Sequence, residues 1–212
     1  MNVAPAFSFF NQYISLLIWL KMLAFYYNGI IYLHIEFIRR GVGNMKKKMS
    51  ASYIARTGIL LALALLFQVG FQSFAQPAVG PLVNMVLILS TLTVGPAAGV
   101  TVGCFTPLIA FLLGIMPLFP LVPVIMLGNS LYVIVFEAVR KPLARYGEVA
   151  GVIIASAVKY AFLAFSVRKL LVLFMPKVPP QIVAAFSLPQ LYTALVGGIL
   201  ALVVYRLFKK NY

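Results

Sequence analysis

The chain has 212 residues, of which 63% are hydrophobic and only 9% charged, a composition that excludes an ordinary soluble domain and reads as an integral membrane protein. Lys and Arg outnumber Asp and Glu by 17 to 3, yet the bases fall mostly between apolar runs, so they speak for a lipid bilayer and not for nucleic acid. A lone Cys104 excludes an internal disulfide and, with the lone His34, any Cys/His metal cluster.

Residues 1–48 stand apart: they hold ten of the chain's 29 aromatics, interrupted by Asn11, Lys21, Asn28, His34 and Glu36. Ile14 to Ile38 has the length for one extra N-terminal helix. It fits badly as a signal peptide, lacking a basic leader and a small-residue cleavage site before Arg39-Arg40. Met45 or Met49 would start a compact protein with a basic leader. Residues 1–44 therefore read either as an upstream extension of the reading frame or as a real peripheral helix, and 45–212 as the membrane domain.

Six apolar stretches follow, each read as a spanning helix: roughly Tyr53 to Gln72, Leu82 to Val94, Ala97 to Met116, Leu121 to Val139, Ala150 to Leu173 and Pro189 to Phe208. Pro, Gly or charge bounds each one. The second is short, about 13 residues or roughly 20 Å, so it leans on neighbours or extends past Pro81. The expected fold is an all-α six-transmembrane-helix bundle, with or without the extra N-terminal helix.

Orientation follows from the bases, because cytoplasmic loops carry excess Lys and Arg. With the start of the first helix inside, twelve bases lie at inner gaps (Arg39, Arg40, Lys46 to Lys48, Arg56, Arg140, Lys141, Arg145, Arg206, Lys209, Lys210). Only Arg168, Lys169 and Lys177 lie outside. Both ends of the six-helix unit are expected to be cytoplasmic.

The first helix carries Ala51, Ala55, Gly58 and Ala62, spaced to share one helical face. Such a face serves either packing inside the bundle or docking onto a separate membrane subunit. On the fifth helix Lys159 interrupts the run VIIASAVKYAFLAF, and an ammonium at that depth needs a partner or water. It is too deep for easy snorkelling, so the open partners are a ligand, trapped water and Glu137. Further polar residues at membrane depth are Asn129 and Tyr132, three apart on the fourth helix, Tyr160, Gln190 near the start of the sixth and Asn84 near the start of the second. Each has a plainer reading as well: Asn129 bonding a neighbouring backbone, Tyr132 packing, Gln190 capping its helix, Asn84 at a helix end.

Chemistry is scarce elsewhere. Cys104 has no His or acid placed to activate it, and no GxxxxGK[ST] phosphate loop occurs, so ATP chemistry would belong to partners. No enzyme activity and no cofactor are expected.

The basic leader, the Ala-rich first helix Ile54-Ala-Arg-Thr-Gly-Ile-Leu-Leu-Ala-Leu-Ala64, the Gly95-Pro96-Ala-Ala-Gly99 turn and the Pro-rich approach to the fourth helix together resemble the substrate-binding S components of energy-coupling factor (ECF) transporters. The resemblance covers about Met45 to Tyr212. It implies a subunit in the cytoplasmic membrane that captures a water-soluble vitamin or related micronutrient for uptake, working with a transmembrane coupling subunit and two ATPase subunits. It also implies that Gly58-xxx-Ala62 stands where the family's small-residue docking motif lies, with Gly for the first Ala, and that helices four to six with the loop Ser73 to Gly80, which Gln72 flanks and to which Gln76 belongs, enclose the substrate. Lys159 would then supply charge, Asn129, Gln190 and Asn84 polar contacts, and Tyr132 or Tyr160 a stacking surface. The rival is a non-transporting membrane scaffold whose cationic face binds anionic lipid.

Overall fold

A computed structural model describes residues 50–71, 76–116, 118–143, 146–171 and 178–210. The expected helix at Ile14 to Ile38, the whole of 1–44, Gln72 and the first part of the Ser73 to Gly80 loop lie outside the described residues. Within them the chain is helical without strands: α1 Ala51–Gly70, α2 Gln76–Thr93, α3 Pro96–Leu112, α4 Leu121–Arg140, α5 Gly147–Phe165, the short α6 Pro180–Ala185 and α7 Leu188–Lys210.

Four segments are long and apolar enough to cross a membrane: Ala51–Gly70, Leu121–Arg140, Gly147–Leu170 and Pro180–Lys209. Two shorter apolar helices, Ala78–Thr93 and Pro96–Leu112, complete the set. The six apolar runs thus each became a helix, while the described residues hold four full-length candidate spans. Two boundaries moved for physical reasons. Pro81 sits inside α2, which begins at Gln76; as the sixth residue it forgoes one helical bond, to the carbonyl of residue 77, and the helix continues through it because neighbouring helices offset that loss. The fifth run leaves α-geometry early, closing with a π-helical turn over Ser166–Leu170. Helix α6, absent from the expectation, starts on Pro180 after a second proline, a favoured way to open a helix.

In the bundle α2 packs along α7, α4 along α5, and α3 bridges α2 and α4, while α1 rests on α2 and α3. Glycine sets how closely these helices approach. A Cβ on Gly198 of α7 would stand 2.7 Å from the Tyr132 hydroxyl and 2.5 Å from Val152 Cγ1, and one on Gly103 of α3 would stand 2.9 Å from Asn129 Cβ. Inside a bilayer, where lipid is as apolar as leucine, close fit of this kind holds helices together.

Two apolar clusters divide the bundle along its length. One gathers Leu87, Ile88, Tyr132, Val133, Phe136, Val152, Ala155, Ala194 and Ala201 with their neighbours. The other gathers Leu121, Leu163, Val167, Leu171 and Phe186. On α4 the order is Leu121, Asn129, Phe136; on α5 it is Val152, Lys159, Leu163; so the polar residues lie between the two packed ends. Beyond the first cluster the bundle ends in ion pairs: Glu137 with Arg140 and Lys141 on α4, and Arg206 of α7 with Glu148 at the start of α5.

Candidate functional site

Lys159 is 3% exposed, and its Nζ donates to Asn84 Oδ1 at 2.6 Å and to Asn129 Oδ1 at 2.7 Å. The Nζ also lies 5.1 Å from the centre of the Tyr132 ring, where the negative face of the aromatic attracts a cation. Three helices, α2, α4 and α5, therefore meet on one ammonium. Both asparagines are as buried as the lysine. A cation in a low-dielectric interior is tolerated only when hydrogen-bonded or paired, and here every described contact is neutral.

The Asn129 carboxamide is held on its other side by a defect in α3. Pro107 lies inside that helix and has no N–H, so the carbonyl of Gly103, four residues earlier, loses its helical donor. Asn129 Nδ2 donates to Gly103 O at 3.0 Å and restores the missing bond. The amide is thus locked with Oδ1 toward Lys159. Tyr132, one turn further along α4, is locked in the same way: its hydroxyl donates to Ala194 O of α7 at 2.7 Å and its ring is fully buried. Asn84 lies where α2 presses closest on α7: a Cβ on Gly197 would collide with Asn84 Cβ and the Pro81 carbonyl, so glycine lets the two helices lie this close.

A cavity of about 80 Å³ opens beside this cluster, walled by Asn84, Asn129, Lys159 and Gln190 together with Gln68, Thr106, Pro107, Met116, Ile125 and Phe186. Of the residues singled out from sequence, four line it. Tyr132 does not; it sits behind Lys159 and positions the ammonium, so its ring is not offered for stacking. Tyr160 is half-buried and is not a wall either.

Several sequence expectations need correction here. Lys159 does not wait for a ligand as its first partner, since two asparagine oxygens already hold it. Nor does it lean on Glu137, which lies eight residues beyond Asn129 on α4, about 12 Å along the axis, and is occupied by Arg140 and Lys141. Asn84 is not a helix-end residue, because α2 starts eight residues before it. Gln190 caps a helix, but not its own: Nε2 donates to Ala185 O at 3.3 Å, at the end of α6. Gln68 was missed. The signal was present, since it is the one amide in the apolar stretch from Ile59 to Gly70.

Helix α1 presents a different surface. Ala51, Ala55, Gly58 and Ala62 are all exposed, and a Cβ on Gly58 would meet nothing within 4 Å. Packing inside the described bundle is therefore not what this small-residue face serves. Ile54, Ile59 and Leu66 on the same helix are 55%, 68% and 62% exposed, so α1 leaves apolar surface uncovered.

A family model described as "ECF transporter, substrate-specific component" matches residues 52–207, which include every helix named above in whole or in large part. No curated protein and no solved structure matches the chain.

Proposed function

The chain belongs to the substrate-specific components of ECF transporters, and from that premise we propose that it captures a water-soluble vitamin or related micronutrient in the cavity beside Lys159 for uptake across the cytoplasmic membrane. Membership makes it a multi-pass membrane protein and a substrate-binding transport component, not an enzyme. The observation that carries the finer reading is the Asn84–Lys159–Asn129 cluster: a buried cation held by neutral groups at the edge of a cavity, in a chain with no Asp. Charge at membrane depth is costly and is kept where it serves a substrate or ion path.

In this reading α1 to α5 and α7 are the six spans. The ends carrying Arg56, Arg140 and Arg206 face the cytoplasm, and the cavity serves the outer side. Lys159 supplies charge, Asn129, Asn84 and Gln190 supply hydrogen bonds, and Tyr132 holds the ammonium in place. The face of Ala51, Ala55, Gly58 and Ala62 docks the transmembrane coupling subunit, which carries two ATPases. The exposure of that face and the open space over Gly58 support the assignment.

The test is co-purification of the tagged chain from its native membrane. A transmembrane partner with two phosphate-loop ATPases, identified by mass spectrometry, is the expected result. Their absence, together with no small molecule retained by the isolated chain, would favour the scaffold reading.

A further inference from the structure

Gln68 is a wall of the cavity on α1, and its Oε1 is buried without a hydrogen-bond partner among the described residues. A buried acceptor left unpaired costs more than a satisfied one gains, so such an atom marks either a defect or a place where a ligand supplies the donor. A second unmet demand faces the same space. The Lys159 ammonium has three N–H donors, of which Asn84 and Asn129 take two. The described walls contain no Asp or Glu, so a protonated Lys159 meets no counter-charge there, in surroundings of low dielectric. Size narrows the class further: a cavity of about 80 Å³ is well below the ~300–1,000 Å³ of pockets for drug-sized ligands.

We propose that Gln68 is a specificity-determining residue that accepts a hydrogen bond from an N–H or O–H of a compact anionic ligand, whose negative group meets Lys159 across the cavity. This rests on the capture function above and adds a requirement to it: the ligand carries both an anionic group and a donor. A neutral molecule leaves the ammonium unbalanced. An anion without a donor leaves Gln68 Oε1 unpaired.

The probe is the water-soluble ultrafiltrate of yeast extract. The full chain in detergent, as native protein, Lys159→Met and Gln68→Met, is incubated with it, washed and heated, and the released compounds are identified by mass spectrometry. The native chain releases a compact acid bearing an N–H or O–H donor, and Lys159→Met releases none. Gln68→Met releases at least tenfold less, while its melting temperature in the empty state equals or exceeds the native value, since methionine fills the same length without an unpaired acceptor. If Gln68→Met melts below the native chain, Gln68→Leu takes its place in the same comparison. Equal release from the Gln68 variant, or a released compound lacking the anionic group or the donor, overturns this inference and leaves the capture function standing. A native chain that releases nothing overturns the capture function itself.

Discussion

The side-chain amide of Asn129 on α4 completes the backbone of α3, donating to the Gly103 carbonyl that Pro107 leaves without a helical partner. One proline thereby fixes which way an amide 22 residues later points, and that direction decides that Lys159 meets an oxygen and not a second donor. The polar core of the bundle is built from a helix defect and its repair.

Replacing Asn129 by Leu should be the most damaging single change in the cluster. It removes a hydrogen bond to a charged group and leaves both Lys159 and the Gly103 carbonyl short of partners, an expected loss of about 3 kcal/mol. Thermal unfolding in detergent reads this as a clear fall in melting temperature. A variant that melts with the native chain would show that the repair contributes nothing.

Lys159→Met should cost less than Asn129→Leu, because it removes the buried charge itself instead of stranding it. Combined, the two changes should fall short of additivity, with Asn129→Leu losing about half its effect once no cation needs Oδ1. Full additivity in the double-mutant cycle would mean that the 2.7 Å contact between Lys159 and Asn129 carries no energy.

How much of this was visible in the chain depends on range. Lys159 and the six apolar runs stand out because a charge in hydrocarbon and a run of apolar residues are local signals. The spacing of Asn129 and Tyr132 correctly put them on one face. Asn84 was harder: it lies 75 residues from Lys159, and its depth depended on whether α2 ran through Pro81. Glu137 looked like a partner only because helix four was known without its rotation and depth. The link from Pro107 through Gly103 to Asn129 was legible in part: Asn129 bonding a neighbouring backbone was one of its readings and holds, but which carbonyl accepts the bond is a matter of packing. Gln68 was legible and overlooked beside Gln72 and Gln76.

Substituting Leu at Gly58 should separate folding from assembly. A Cβ there meets nothing within 4 Å, so the stability should stay within about 1 kcal/mol of the native value or rise slightly, glycine being a poor helix residue. Co-purification of the coupling subunit should drop severely. Normal co-purification would remove this face of α1 from the docking surface.

Glu137→Gln should leave ligand retention unchanged, because Glu137 serves Arg140 and Lys141 and not Lys159. With Arg140 and Lys141 partly exposed, the loss of stability should stay near 1 kcal/mol. A loss of retained compound equal to that of Lys159→Met would reinstate Glu137 as the partner of the buried cation.

The most direct test of the account compares the small molecules released on heating from native chain and from folded Lys159→Met, both exposed to the same water-soluble extract. The account predicts a compound present in the native sample at a stoichiometry approaching one per chain and absent from the variant. Equal release from both would contradict the placement of the capture site beside Lys159.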